Sequence, residues 1–435
     1  MIRDLPADGA FELFVQDEVG GAMSQAADFR ALVAALPGIG PADALRALGR
    51  MHEHPAAEVL LASATRKEPP RTLAQGAHLP LPHPLDLEWR FSENCARTLL
   101  NKVIESSGEG EGILLLGVPT VAAAAIGSDA RRSFHVVGED NVVCRSLVEA
   151  SAGDPRFVHD AASTERVRAA LVDPPWYLDS YAEMVGLCSA RCAPEATLFL
   201  VLPPVGIRPL AVRDRQKMLE IARGAGFDLA DAAMEPLHYR SPVFELAAFR
   251  AAGIGAWLPD WRTGDLVRLI KRREPAEALT QTPRPAAFEL TLDGIRLKLL
   301  LGRPGPATLE PLVPGGVLPS VSIRYPGRAA ATLWTSTNRA FAVESSRALG
   351  AMLALAEQRE LVLREGLTKE NSVIAASGDI DGIQRLTHLI ERLVDDERTA
   401  AAELVGEAAW QHINDARFLR GQLPGLPKAR RGAAA

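Results

Sequence analysis

A chain of 435 residues that is 47% hydrophobic and 23% charged can build a sizeable core, and its length predicts two or three domains rather than one. A formal net charge of −6 removes the global positive field that drives non-specific binding to a phosphate backbone, although a local basic patch is still possible. Four cysteines are too few for a disulfide scaffold of this size.

The N-terminal MIRDLPADGAFELF has no basic stretch followed by an apolar run, so no signal peptide is expected. Residues 1–80 read as a helical region. Phe29–Ala35 and Ala42–Met51 carry apolar residues at helical spacing around the turn Pro37–Pro41. Such a pair suits a helix-turn-helix or winged-helix unit. It suits a helical cap better, because no basic recognition helix is visible. A proline-rich linker is expected over Glu68–Pro84, followed by a helix from Ser92, a natural N-cap, to Ile104.

Residues 81–272 then alternate strands and helices. Strands are expected at Ile113–Leu116, Phe134–Val137, Arg156–Val158, Ala169–Val172 and Thr197–Leu202. Helices are expected at Val121–Ala125, Asn141–Ala150, Ser180–Ala190 and Arg213–Ala225. This order implies parallel βαβ units with right-handed crossovers. Asp228–Tyr239 and Val243–Arg250 read as a closing hairpin turned at Arg240–Pro242. Cys188 and Cys192, four apart, read as buried helical thiols rather than half of a metal site. The longest near-apolar run, Gly112–Gly127, is interrupted by Gly117 and Pro119 and falls short of a membrane span, so a soluble, cytoplasmic protein is expected.

After the linker Arg272–Pro285, residues 286–435 read as an α+β domain. Its strand-like alternation lies at Phe288–Leu301 and Val321–Ala342, and its helices at 344–366, 379–397 and 399–416. The tail around Lys428–Arg431 reads as disordered. No residue of this domain reads as catalytic, and a protein partner is its expected role. The fold class predicted for the whole chain is α/β: a Rossmann-like domain between a helical N-terminal region and an α+β C-terminal domain.

In a doubly wound sheet, ligands bind outside the carboxyl ends of the strands. Gly117 follows the first strand, where a glycine allows close backbone approach to a cofactor or simply makes a turn. Glu139, or its neighbour Asp140, follows the second, where a carboxylate can accept from both ribose hydroxyls of a nucleoside cofactor. Asp160 follows the third; it can accept from an adenine amine or cap a helix. The run Asp173-Pro174-Pro175-Trp176-Tyr177 follows the fourth and is the most specific signal. Two prolines end the strand ladder and hold the chain extended. The Asp173 carboxylate and Pro174 carbonyl can accept N–H bonds from an amine and aim its lone pair. Trp176 offers a flat face for a planar base or a cation, and Tyr177 a second wall. Arg208, Arg213, Arg215 and Lys217 offer a basic rim, although a solvated helix face explains them as well.

Asp-Pro-Pro-Trp in this position resembles the motif of amino-group methyltransferases that use S-adenosyl-L-methionine. Over about residues 83–270 the chain is similar to the N6-adenine methyltransferase-like family that also contains elongation-factor lysine methyltransferases. The similarity runs through Leu115–Thr120, Val137-Gly138-Glu139, Asp173–Tyr177 and Ser241–Phe244. It implies a class I methyltransferase fold and methyl transfer to adenine N6 or a protein side-chain amine, so the partner would be a nucleic acid or protein amine. A second similarity, in the lead-in helix, the Leu-Leu-Gly first strand and Asp-Pro-Pro, is to branched-polyamine aminopropyltransferases. The first turn, Gly117–Val121, lacks the glycine-rich loop of ordinary methyltransferases and the acidic cluster of aminopropyltransferases. That departure and the long C-terminal region leave a non-catalytic scaffold subunit of a larger complex as one alternative, and an aminopropyltransferase-like enzyme is the other.

Overall fold

The computed structural model describes residues 8–70, 79–138, 141–159, 163–231, 234–275, 286–359, 379–407 and 409–410. Four helices open the chain: α1 (Asp8–Met23), α2 (Phe29–Ala35), α3 (Pro41–Arg50) and α4 (Pro55–Thr65). Asp28 caps α2 through a bond from the Ala31 amide, and prolines at the first helical positions start α3 and α4, where no N–H is needed. Arg46 and Arg50 of α3 pair with Asp43 and Glu12, so α3 presents no free basic face.

The segment expected as a linker does not behave as one where it is described. Leu81 and His83 are buried, and Arg90 donates to the Pro80 carbonyl at 2.5 Å. This strap leads into β1 (Arg90–Phe91) and α5 (Glu93–Glu105), which Ser92 caps by accepting from the Cys95 amide.

The central layer alternates as the sequence implies: β2 (Gly112–Leu116), α6 (Pro119–Ile126), β3 (Ser133–Val137), α7 (Val142–Ala150), β4 (Phe157–Val158), β5 (Val167–Val172), α8 (Leu178–Arg191), β6 (Cys192–Leu202) and α9 (Ala211–Gly224). β2 and β5 are buried along nearly their whole length, as strands covered on both faces must be. The sheet continues with β7 (Phe227–Leu229), β8 (Glu235–Arg240) and, after α10 (Val243–Ala251), β9 (Thr263–Lys271). Its order is β1-β8-β9-β6-β5-β2-β3-β4, with β7 also on β9. β2 to β6 pair in parallel, and β9 enters antiparallel to β6. This is a Rossmann-like arrangement, a parallel sheet extended beyond β6 through the reversed strand β9.

The closing element corrects the sequence reading. Val243–Arg250 is not a strand but lies in α10, and the partner of β7 and β8 is β9. Val243, Phe244, Leu246, Ala247, Ala248 and Phe249 are all buried, so this helix has no polar stripe to betray its period. Cys188 ends in α8 but Cys192 begins β6, so they do not share a helix; both are buried, and burial pushes the Cys192 thiol up to about 12.

The C-terminal part has a second, antiparallel sheet of β10 (Ala287–Leu292), β11 (Ile295–Leu300), β12 (Glu310–Pro311), β13 (Leu333–Thr335) and β14 (Ala340–Ala342), in the order β10-β11-β13-β14-β12. Much of Val321–Ala342 is therefore loop, with only two short strands. Helices α11 (Ser345–Gln358) and α12 (Ile380–Val405) cover this sheet. α12 runs through residues 397–399 without the expected break, for no Gly or Pro stands there. One hydrophobic cluster joins α1 to α4, α10, the second sheet and its helices, while two others flank the central sheet. Among the described residues no helix is long and apolar enough to cross a membrane.

Candidate active site

Two cavities open at the carboxyl edge of the parallel strands and meet at one place. The first, about 370 Å³, lies over the ends of β2 and β3 and the start of α7. Its walls include Val118, Ala122, Val136 and Leu147, with Asn141, Glu183 and Glu88 as polar points. The second, about 260 Å³, lies over the end of β5 and is walled by Trp89, Asp173–Tyr177, Tyr239, Trp261 and Arg262. Leu87, Glu88, Gly117, Asp173 and Pro175 line both.

Gly117 is fixed by its surroundings. It adopts φ +70, and a side-chain carbon there would lie 2.7 Å from the Asp173 carbonyl oxygen and 2.8 Å from Met184 Cε. Only glycine allows the first turn to pass this close to the Asp-Pro-Pro segment. The Asp173 amide donates to the Leu116 carbonyl at 3.2 Å, which carries the strand pairing one residue beyond β5. Pro174 and Pro175 then stop it. Gly138 makes a second cradle wall, where an added carbon would lie 2.3 Å from Cys144 Sγ. Leu87, at the junction of the cavities, holds φ 54, a strained value for a branched residue and one that recurs at functional sites.

Asp173 is half-buried and lines both cavities. Tyr239 donates its hydroxyl to both carboxylate oxygens at 3.0 Å. Burial dominates and pushes the Asp173 pKa up to about 8, against the opposing pull of Tyr239 and the Arg262 guanidinium. Tyr239 is itself held by Phe91, stacked at 4.7 Å, and by Trp176, edge-on at 6.0 Å.

Trp176 does form a wall, but its face is already occupied. The Arg262 guanidinium carbon lies 5.1 Å from the Trp176 ring centre, 4.4 Å from Trp89 and 4.8 Å from Trp261. Behind it, the buried Glu245 carboxylate accepts from Arg262 and from the indole N–H groups of Trp89 and Trp261, at 3.2 and 3.1 Å. Tyr177 is bracketed by Arg208 and Arg324, whose guanidinium carbons lie 5.8 and 5.7 Å from its ring centre.

Of the residues chosen from the sequence, Gly117, Asp173, Pro174, Trp176 and Tyr177 come together around the second cavity. Glu139, Asp140 and Asp160 lie outside the described residues. Their neighbours Gly138 and Asn141 line the first cavity. Of the basic rim, Arg208 pairs with Asp214 at 2.9 Å and Arg215 is buried against Asp265, whereas Arg213 and Lys217 are exposed.

The sequence reading missed the cage of Trp89, Trp261, Arg262 and Glu245, which comes from separate places in the chain. It also missed the share of the outer regions. Gly40–Asp43 of the N-terminal helices and Pro319–Ser322 of the C-terminal part both line the second cavity. The strap reaches the junction because Asp86 is held by Arg296 of β11 at 2.6 Å and by Lys298. Arg296, fully buried, also donates to the Leu81 carbonyl at 2.8 Å and pairs with Glu289 at 2.6 Å. Arg328 ties the Val321 and Pro84 carbonyls together.

No family profile matches the chain, and no curated protein matches it. Among solved structures it is similar to the branched-chain polyamine synthase from Thermus thermophilus, with 15% identity, a TM-score of 0.45 and coverage of 64% of this chain and 92% of that one. A mutein of that synthase in complex with N4-aminopropylspermidine and 5'-methylthioadenosine gives 16% identity, a TM-score of 0.46 and coverage of 63% and 91%. The N-methyltransferase NodS from Bradyrhizobium japonicum, in complex with S-adenosyl-L-homocysteine, gives 12% identity, a TM-score of 0.28 and coverage of 40% and 85%.

Proposed function

We propose that the protein transfers a methyl group from S-adenosyl-L-methionine to an amino group, either adenine N6 or a protein side-chain amine. The observation that carries this reading is the meeting of the two cavities at Gly117 and Asp173, one roomy and walled by the βα turns, the other aromatic and opening on a carboxyl. A donor and an acceptor held on the two sides of that junction would react across it.

The first cavity fits the cofactor. Gly117 and Gly138 leave the space that side-chain carbons would fill, Val118, Ala122, Val136 and Leu147 give apolar walls for a base, and Asn141, Glu88 and Glu183 give polar points for hydroxyl and amine groups. Glu139 and Asp160 complete the proposed cofactor set. When bound, the cofactor supplies a methyl carbon on a good leaving group, a sulfonium. Asp173 accepts an N–H bond from the acceptor and orients its nitrogen. With a pKa of about 8 the carboxyl is mostly protonated at neutral pH, and the ionised form that can take the proton the methylated nitrogen must shed grows as pH rises towards 8. Tyr239 fixes the carboxyl plane. Trp176 and Tyr177 wall the acceptor.

Calorimetric titration with S-adenosyl-L-homocysteine tests the reading. Saturable heat with the wild type, lost in Gly117→Ala under conditions where the variant remains folded, supports it. No heat with the folded wild type removes the enzymatic reading and favours the scaffold.

A further inference from the structure

The acceptor cavity holds a cation of its own. Arg262 is 7% exposed, sits among three indole faces and is neutralised by Glu245, which is 1% exposed. A cage of this chemistry is the kind that holds an ammonium ligand. Here the chain fills it from within, and the Arg262 Nε–H is buried with no hydrogen-bond partner among the described residues.

Of the carboxylates lining the cavity, all but Asp173 are paired with a cation. Glu245 serves Arg262 and two indoles, Glu88 pairs with Arg90 at 2.6 Å, Asp43 pairs with Arg46, and Asp173 accepts from Tyr239. Near Tyr177, Arg208 is paired with Asp214, and the exposed Arg324 adds a positive charge. A protonated alkylamine entering this space would find the aromatic cage already filled by the Arg262 guanidinium and would lose its hydration without the contacts of the cage. An uncharged planar amine meets the aromatic walls of Trp176 and Tyr177 without that cost.

We infer that Arg262, seated in the cage of Trp89, Trp176 and Trp261, is a specificity-determining residue that restricts the acceptor to uncharged planar amines and excludes protonated alkylamines. This rests on the amino-group transfer reading and chooses between its two substrate classes.

The test is calorimetry at pH 7.5 with adenine as the uncharged probe and n-butylammonium as the charged one, each with S-adenosyl-L-homocysteine present. The wild type is expected to bind adenine at least tenfold more tightly than n-butylammonium. Arg262→Ala is expected to gain at least tenfold for n-butylammonium, because Glu245 and three indoles then await a cation. Arg262→Met, which fills the space without the charge, is expected to lose the wild-type preference, which a purely space-filling role would not predict.

A wild type with no preference for adenine, including one that binds neither probe, overturns the inference whether or not any variant folds. So does a folded Arg262→Ala that gains nothing for n-butylammonium. The homocysteine titration alone decides the transfer reading: if that ligand binds but the probes show no preference, only the inference falls.

Discussion

Replacing Asp173 by asparagine removes a carboxyl whose pKa stands at about 8 in the folded protein and near 4 when the chain unfolds. Between those values the folded state binds a proton that the unfolded state has released. Wild-type stability therefore falls as pH rises through this window, and the slope vanishes above about pH 8, where both states are ionised. The full linkage slope is about 1.4 kcal/mol per pH unit. Water entering through the cavity weakens the desolvation, so we expect about 1 kcal/mol per unit between pH 5 and 8. The asparagine variant carries no such titration. Thermal unfolding of both proteins over pH 5–9 should show a gap that widens in favour of the variant up to pH 8 and then stays constant. A gap that does not change between pH 5 and 8 would mean that Asp173 ionises as an ordinary surface carboxylate, and the argument from burial would be wrong.

Tyr239→Phe removes the hydroxyl that holds the Asp173 pKa down, so the midpoint of the same pH profile should move to higher pH; a shift to lower pH would contradict the assigned role. Arg296→Met leaves Asp86 and Glu289 in a buried site with Lys298 alone, which should cost about 3 kcal/mol in denaturant unfolding and weaken S-adenosyl-L-homocysteine binding at least tenfold as the strap loosens. Glu397 of α12 is buried against Arg339 and Thr337, and burial raises its pKa to about 7. Its contribution should fall as pH rises from about 4.5 to 7, and Glu397→Gln should flatten that part of the melting profile.

The parallel half of the fold was legible because βαβ units leave two local marks, short fully apolar strands and amphipathic helices such as α7 between them. The reversed strand was not. The nine residues of β9 and the nine of α10 are similar in length and apolar content, and a helix buried on nearly every side loses the period that separates the two cases. The site divides in the same way. Asp173–Tyr177 could be read because two prolines after a buried strand are a local signal. The cage could not: Trp89, Glu245 and Trp261-Arg262 are ordinary in sequence and gain meaning only when the segments that precede β1 and β9 meet at Glu245 of α10. The strap escaped notice because prolines read as a linker, while the charges that pin it, Arg296 and Lys298, lie some two hundred residues further along.

A crystal structure of the protein soaked with S-adenosyl-L-homocysteine tests the central claim most directly. The account predicts density for the ligand in the cavity between Gly117, Gly138 and Asn141, with its sulfur at the junction facing the Asp173 carboxyl. Ligand bound elsewhere, or that cavity left unfilled at saturating concentration, would contradict it.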